Sequence, residues 1–213
     1  MKRLLYTILF CTTVMCFGRE REYLFNGKNL DCWSIYVKDN GVNPEAYFYV
    51  REGVIETIGK PLGYLRTKNT YSNYVLHLEW RYPEEAINSG VFLHTIGPDT
   101  IWPAHYQAQL KSQNAGDFIV HGVGQRATIG DMEYVSTESK DKPVIPKLHP
   151  SNEKPAGEWN AYDITCKGNT IEIRVNGLIQ NVASNLSVTA GNIGLQAEGC
   201  KIQFRNLWVE RLD

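Results

Sequence analysis

Alternation of apolar and polar residues with a period of two, repeated along most of the chain, constrains the fold more than any other feature. Val75–Arg81 alternates without interruption, with Leu76, Leu78 and Trp80 on one face and a polar side chain after each. Asn176-Gly177 separates two further alternating segments, which predicts a hairpin because both turn residues accept positive φ. No segment combines the helical period with helix caps. We therefore predict an all-β fold, a two-sheet β-sandwich or jelly roll.

One stretch, from Gly122 to Glu158, departs from the regular spacing of strands and contains four prolines. We predict a long surface loop excursion here, either a functional lid or a solvated insertion. The composition, 43% hydrophobic and 21% charged over 213 residues, is that of a globular chain. Residues 19–213 show no internal boundary and no repeat, so we predict a single domain there.

The first eighteen residues are typical of a secretory signal peptide. Lys2 and Arg3 precede an apolar run that continues to Phe17, and the small residue Gly18 follows. The apolar run is too short to span a bilayer comfortably, and the protein is not expected to be transmembrane. We predict residues 1–18 as signal peptide and export of the rest to the periplasm of a bacterial envelope. The alternative is an envelope-anchored lipoprotein, if Cys16 is lipidated.

Charge and motif content exclude several classes of protein. The formal net charge of −1 at pH 7 gives no reason to expect binding to nucleic acid. Beyond the signal peptide the chain has Cys32, Cys166 and Cys200, so at most one disulfide forms. There is no G-x-S-x-G nucleophile motif, and neither the His nor the Cys residues have zinc-binding spacing.

The polar faces of the middle strands predict a functional site. If these strands are neighbours in one sheet, their polar side chains converge on one concave surface together with nearby carboxylates. Carboxylates, amides, cations and imidazoles near Trp suit a carbohydrate, whose hydroxyls take paired hydrogen bonds and whose rings stack on aromatic side chains. For Glu79 and Arg81 the alternative is a cross-strand salt-bridge network on a solvated sheet face. The candidate residues are Glu79, Arg81, His94, Trp102, Gln107, Gln109, Lys111, Asp117, His121 and Glu198.

Eight short motifs, in order along the chain, resemble the 3-keto-disaccharide hydrolase domain family. This family has a concanavalin A-like β-jelly roll, and the resemblance covers residues 22–212. The motifs are Leu24–Leu30 with Trp33, Gly63–Thr67, Leu78–Arg81, Asn88–Phe92, Gly157–Asn160, Asn176-Gly177, Gly194–Gln196 and Phe204–Leu207.

The resemblance implies cleavage of 3-keto-glycosides, such as 3-keto-disaccharides or 3-keto-glucosides, in the bacterial envelope. It also implies a pathway partner, an oxidoreductase that makes the 3-keto sugar. Of the matched positions, Glu79, Arg81 and Gln109 become site candidates. Many members have Tyr-Glu-x-Gln where this chain has Tyr106-Gln107-Ala108-Gln109. This difference removes a carboxylate from the strand face.

The chemistry of a 3-keto sugar suggests roles for the candidates. The ketone at C3 makes the C2 proton acidic, so a modest base can remove it, and the C1 leaving group departs by β-elimination, with or without later addition of water. His94 or His121 is the predicted base. Lys111, Arg81 or a bound divalent metal ion stabilises the enolate, and Glu79 or Asp117 acts as metal ligand or acid. Arg81, Gln107, Gln109, Trp102 and Glu198 are the predicted substrate contacts.

Two other functions stay open at this point. A paired-carboxylate glycoside hydrolase acting on unoxidised sugar needs two carboxyl groups across the bond, which Glu79 with Glu198 or Asp117 could supply. A non-catalytic carbohydrate-binding module is the other, since jelly rolls often only bind sugars. Turnover of a 3-keto-glycoside separates the enzyme from the module.

Overall fold

The computed structural model describes residues 20–39, 41–137 and 142–212, and within them the chain is a β-sandwich, as predicted. The predicted signal peptide lies outside the described residues. The strands are β1 Arg21–Tyr23, β2 Trp33–Val37, β3 Phe48–Arg51, β4 Val54–Thr57, β5 Gly63–Thr67, β6 Tyr74–Arg81, β7 Gly90–Ile96, β8 Ala104–Gln109, β9 Phe118–His121, β10 Arg126–Ile129, β11 Met132–Val135, β12 Val144–Ile145, β13 Asn160–Lys167, β14 Thr170–Val175, β15 Leu178–Ala183, β16 Asn192–Ala197 and β17 Ile202–Arg211. A single 3₁₀ turn, Pro44–Ala46, lies between β2 and β3.

Two antiparallel sheets form the sandwich. The eight-stranded sheet has the order β15-β14-β13-β6-β17-β4-β3, with β1 paired to the end of β17. The seven-stranded sheet has the order β12-β9-β8-β7-β16-β5-β2. Strands that are close in sequence therefore often lie in different sheets. This applies to β6 and β7, which are consecutive in sequence but belong to opposite sheets.

The core lies between the two sheets and is built from the apolar half of each alternating strand. From β6 it takes Leu76, Leu78 and Trp80, which are fully buried, and from β8 it takes Tyr106 and Ala108. Burial of each large apolar side chain contributes about 1.5–3 kcal/mol, so the pattern that predicts the strands also supplies the stabilisation. The other half of each strand forms an outer face, which turns away from the partner sheet.

The predicted turns are confirmed by their backbone angles. Asn176 and Gly177 connect β14 to β15 with φ of 47° and 84°, the left-handed region that a tight hairpin turn requires. Gly168, with φ of 55°, ends β13 in the same way before β14 begins. Both hairpins are at one edge of the eight-stranded sheet.

The stretch from Gly122 to Glu158 is more ordered than a loop excursion. It contains the β10–β11 hairpin and β12, which adds an edge strand to β9. The backbone amide of Leu148 then donates to the carbonyl of Gln180 on β15 at 2.7 Å. This part of the chain therefore contains short strands as well as loop, and it links the edges of the two sheets.

Two further findings concern the described residues only. Cys32, Cys166 and Cys200 are free thiols. Within 20–39, 41–137 and 142–212 there is no helix of the length and apolar character needed to cross a membrane.

Candidate active site

Glu79 and Arg81 do not share a sheet with the other candidates. Both lie on β6 in the eight-stranded sheet, whereas β7, β8 and β9 belong to the seven-stranded sheet. The prediction that all the polar faces converge on one surface was therefore wrong for these two residues. Its physical basis fails because the chain crosses from one sheet to the other between Arg81 and Gly90.

The outer face around Glu79 is a network of charged and aromatic side chains that satisfy one another. The Glu79 carboxylate accepts hydrogen bonds from Arg205 at 2.6 Å and Asn206 at 2.8 Å. The guanidinium groups of Arg81 and Arg205 lie 4.6 and 4.0 Å from the ring centre of Trp159. Burial opposes the charge of Glu79, but these hydrogen bonds outweigh it and lower the pKa of the carboxyl. The arrangement is the cross-strand network named above as the alternative.

His94 faces the core and not the outer face. The pairing of β7 with β8 shifts register between Leu93 and Ile96, and His94 has a φ of 51°. This bulge turns the imidazole inward, edge-on to the rings of Tyr74 and Tyr106. Its Nδ1 lies 3.2 Å from the carbonyl oxygen of Val188, and burial lowers its pKa. A substrate on the outer face has no contact with this side chain.

Asp117 and Lys111 also lie apart from the predicted surface. The buried Asp117 carboxylate accepts the backbone amide of Lys147 at 2.9 Å and lies 3.7 Å from the Lys147 ammonium. Lys111 follows the end of β8, and its side chain is exposed. Its backbone amide donates to Gln109 at 3.1 Å. Asp117 is therefore engaged in holding the excursion against the sheet.

Six polar side chains come together on the outer face of the seven-stranded sheet. Alternation in β8 directs Tyr106 and Ala108 into the core and the residues between and beside them outward. Register pairs His105 with His121, and β16 adds its own outward side chains. We call this group the imidazole–amide cluster. Its members are His105, Gln107, Gln109, His121, Gln196 and Glu198.

The two imidazoles of the cluster are stacked. The ring centres of His105 and His121 are 4.2 Å apart with an interplanar angle of 18°. Phe92 also stacks on His105, with the two ring centres 3.8 Å apart. Trp102, half-buried, meets Phe92 edge-on at 6.1 Å, so it lies at the rim without joining the stack. Gly194 makes room for the Phe92 ring, since a Cβ there would lie 2.9 Å from that ring.

The three glutamines form one hydrogen-bonded chain that ends at the carboxyl group. Gln107 donates to the oxygens of Gln109 at 3.1 Å and Gln196 at 3.4 Å. Gln196 in turn donates to Glu198 at 2.9 Å. The backbone amides of Leu110 and Lys111 donate to the Gln109 oxygen, which fixes the orientation of the chain at its other end. The amides are thus held in one arrangement before any ligand binds.

Burial controls the protonation of the cluster. It lowers the pKa of His105 to about 3, although the Pro103 carbonyl favours the charged ring. Burial, His105 and Lys142 together lower the pKa of His121. For Glu198, burial raises the pKa and Lys142 opposes this rise. At neutral pH the cluster therefore holds two neutral imidazoles beside a carboxyl group that takes up a proton more readily than usual.

His105 and Gln196 were missed by the sequence reading. Strict alternation along β8 places His105 on the same face as Gln107 and Gln109. Gln196 lies two residues before Glu198, on the same face of β16 by the same rule. Both residues can be found from the sequence if the alternating pattern is followed along the whole of each strand.

A metal ion was left open by the sequence, and the donor set does not favour one. In the ranges that the structure describes, no group of three or more His, Cys, Asp or Glu side chains is arranged to hold a metal. The cluster presents amides where further carboxylates would be expected for a divalent cation. We therefore derive no step through a metal.

The arrangement can bind a polyhydroxy compound and move protons on it. Amide and carboxyl groups recognise hydroxyls, the neutral imidazoles can accept a proton, and the half-buried carboxyl can donate one. Several of the side chains are excluded from water, which strengthens each polar contact with a bound ligand.

The comparisons with known proteins agree with this chemistry. The model of the 3-keto-alpha-glucoside-1,2-lyase-like domain matches residues 20–210, so the chain belongs to that family of carbohydrate-active domains. No protein of curated function matches the sequence.

Solved structures share the fold. A Parabacteroides distasonis protein described as a candidate glycosyl hydrolase is 20% identical, with a TM-score of 0.67 over 91% of this chain and 94% of that one. A second such P. distasonis protein is 22% identical, with a TM-score of 0.64 over 91% of this chain and 100% of that one. The β-glucanase of Bacillus licheniformis is 13% identical, with a TM-score of 0.54 over 92% and 99%. These likenesses establish a concanavalin A-like sandwich.

Proposed function

We propose that this protein cleaves 3-keto-glycosides at the imidazole–amide cluster by proton abstraction and β-elimination. The observation that carries the proposal is the buried pair of neutral imidazoles, His105 and His121, in one cluster with Glu198. A neutral imidazole has a free lone pair at neutral pH, so it can accept the proton that a neighbouring ketone makes acidic. A site that only binds sugar has no need of such a pair.

The proposed reaction has two stages. The imidazole pair removes the proton from C2, and the electrons of that bond form the enolate with C3. The ketone then re-forms, a C1–C2 double bond forms, the C1–O bond breaks, and Glu198 gives its proton to the leaving oxygen. The amide groups of Gln107 and Gln196 lie beside these groups and can donate to sugar or enolate oxygens when substrate displaces their present partners.

The two alternative functions have less support. A paired-carboxylate glycosidase needs a second carboxyl group across the scissile bond, and among the described residues the cluster has Glu198 alone. Glu79 lies on the other sheet, and Asp117 is bound to Lys147. A binding module would depend on aromatic and amide groups, whereas this cluster contains three titratable ones.

The setting of the reaction is also proposed. The N-terminal sequence favours export to the periplasm, or anchoring in the envelope if Cys16 is lipidated. A sugar 3-oxidoreductase in the same pathway would supply the ketone, since the cluster itself has no group that oxidises a hydroxyl.

The test is release of aglycone from a 3-keto-glucoside and from its unoxidised parent, each with and without a chelator. We expect release from the ketone alone, and at the same rate with chelator. Release from both substrates would indicate the glycosidase. Binding without release from either would indicate the module, and loss of rate with chelator would contradict the metal-free route.

A further inference from the structure

We infer that His105, and not His121, is the catalytic base. We also infer that Gln107 is a positioning residue, because its side-chain oxygen accepts a hydrogen bond from Nε2 of His105 once that nitrogen is protonated. This inference rests on the proposed function. It decides between the two stacked rings, and it gives the catalytic role to His105, which sequence reasoning did not select.

The Pro103 carbonyl fixes the tautomer of His105. Its oxygen lies 2.6 Å from Nδ1 of the ring, and a carbonyl oxygen can only accept a hydrogen bond. Nδ1 therefore bears the hydrogen of the neutral ring. Nε2 has the free lone pair, which makes Nε2 the atom that accepts a proton.

The orientation of the Gln107 amide is equally determined. The Gln109 oxygen accepts from two backbone amides, so the group of Gln107 that faces it must be the NH₂. The Gln107 oxygen is then the atom that lies 3.4 Å from Nε2 of His105. In the neutral ring, a lone pair faces a lone pair across this distance. Once Nε2 is protonated, the contact becomes a hydrogen bond.

His105 is thus surrounded by acceptors that fit the imidazolium form. Each ring nitrogen has a carbonyl-type oxygen in front of it, one from the backbone and one from Gln107. His121 differs, because its Nε2 is buried and has no hydrogen-bond partner among the described residues. The titratable groups that face His105 within the described residues are His121 and Lys142, and Glu198 is connected to it through two amides. Since the stacked rings repel a second charge, the pair takes up one proton, and it lies on His105.

The proton balance closes over a complete cycle. In the elimination, the C2 proton moves to Nε2 of His105 and the Glu198 proton moves to the leaving oxygen. When water adds back to C1, its proton passes to the Glu198 carboxylate and C2 regains a proton from His105. Both groups then return to their starting forms, and no further reagent is required.

Gly90 provides a second way to disturb the same amide. A Cβ at Gly90 would lie 2.4 Å from the side-chain nitrogen of Gln107. The missing side chain of Gly90 therefore leaves the space that the Gln107 amide occupies. Gly90→Ala keeps the Gln107 side chain but moves its oxygen away from Nε2. It therefore tests the position of the acceptor and not its chemical presence.

The experiment follows the ring nitrogens of His105 by NMR as a function of pH in the full chain, without substrate. In Gln107→Glu a carboxylate faces Nε2, and we expect the titration midpoint of His105 to move upward by about 1–3 pH units. In Gln107→Met and Gly90→Ala the acceptor is lost or displaced, and the midpoint should move downward. Asp163→Asn is the matched control, because it alters only the carboxylate 2.7 Å from His77 on the other sheet. It should leave His105 unchanged.

The outcomes separate this inference from the proposed function. If Gln107→Glu moves the titration of His121 and not that of His105, or moves neither, the assignment of the base is wrong whatever the turnover. If the NMR shifts appear and 3-keto-glucosides are not cleaved, the proposed function fails and the proton site stands. If both hold, the acid limb of the kcat/KM profile should move with the His105 midpoint. Should Gln107→Glu not fold, Gly90→Ala decides, since an unchanged midpoint there contradicts the inference.

Discussion

Replacement of Asp117 should destabilise the fold and leave the chemistry intact. In Asp117→Ala, the Lys147 ammonium loses its partner at 3.7 Å and the Lys147 backbone amide loses its acceptor at 2.9 Å. The two side chains are only 11% and 12% exposed, so solvent replaces little of the loss. Breaking a buried pair costs about 3–5 kcal/mol. Because Lys147 keeps its bond to the carbonyl of Gln113, we expect the lower end, about 3 kcal/mol.

The assay is urea unfolding followed by Trp fluorescence, with thermal melting beside it. A loss of about 3 kcal/mol lowers the Tm by about 6–12 °C in a domain of this size. Glu133→Ala, which removes an exposed pair with Arg126 at 3.8 Å, is the control and should have no measurable effect. Asp117→Asn with Lys147→Met removes both charges and keeps an acceptor, so it should recover most of the stability. If the double variant is as unstable as the sum of its single variants, the reasoning from charge pairing is refuted.

Three further predictions concern the two outer faces. Glu79→Gln should leave kcat/KM for a 3-keto-glucoside within about twofold, since its carboxylate lies on the other sheet; a loss beyond tenfold would return Glu79 to the site. Glu198→Gln should lower kcat by about 10²–10⁴ with an unchanged unfolding midpoint, because the substitution removes the acid and keeps the side-chain volume. The third is the pH dependence of stability. The pKa of His105 is about 3 in the fold against the ordinary value of 6.5, so its contribution is complete above pH 6.5 and is lost as the pH falls toward 3. The free energy of unfolding should fall by at most about 1.4 kcal/mol per pH unit for this group between pH 6 and 5, and His105→Gln should flatten that slope.

The strands were predictable because alternation is a local property. Val75–Arg81 was predicted and β6 spans Tyr74–Arg81, since the apolar residues that alternate in sequence are those that enter the core. The hairpin at Asn176-Gly177 was likewise determined by two residues that accept positive φ. For these elements, the information needed lies within a few residues of the element itself.

The assignment of strands to sheets was not predictable in the same way. β6 and β7 both have a polar face, and nothing in either segment states that they belong to opposite sheets. β6 pairs with β13 and β17, which lie more than seventy residues away in sequence. Sequence reasoning placed Glu79 beside His94 because it used proximity along the chain, and in this sandwich long-range pairing overrides that proximity.

Bulges limit alternation even inside a correctly predicted strand. His94 was predicted to lie on a polar strand face, and the alternation on which this prediction depends fails where β7 shifts register after Leu93. A residue with positive φ is rare outside Gly and Asn, and no local signal marks His94 as one. His105, by contrast, lies on a part of β8 where apolar and polar residues alternate without a bulge.

The contrast between the two outer faces argues for where the chemistry takes place. On the eight-stranded sheet, Glu79 pairs with Arg205, and Arg81 donates to Gln203 and lies over the Trp159 ring, so each of these groups has partners within the protein. On the seven-stranded sheet, the Nε2 of His121 is buried and has no hydrogen-bond partner in the described part of the chain, and the oxygen of Gln107 faces a lone pair of His105. Such unsatisfied groups destabilise a fold by about 1–3 kcal/mol each and bring no packing in return. Of the buried polar atoms that have no partner among the described residues, the Nε2 of His121 is the one in the imidazole–amide cluster, where a ligand or a proton can complete its hydrogen bonding.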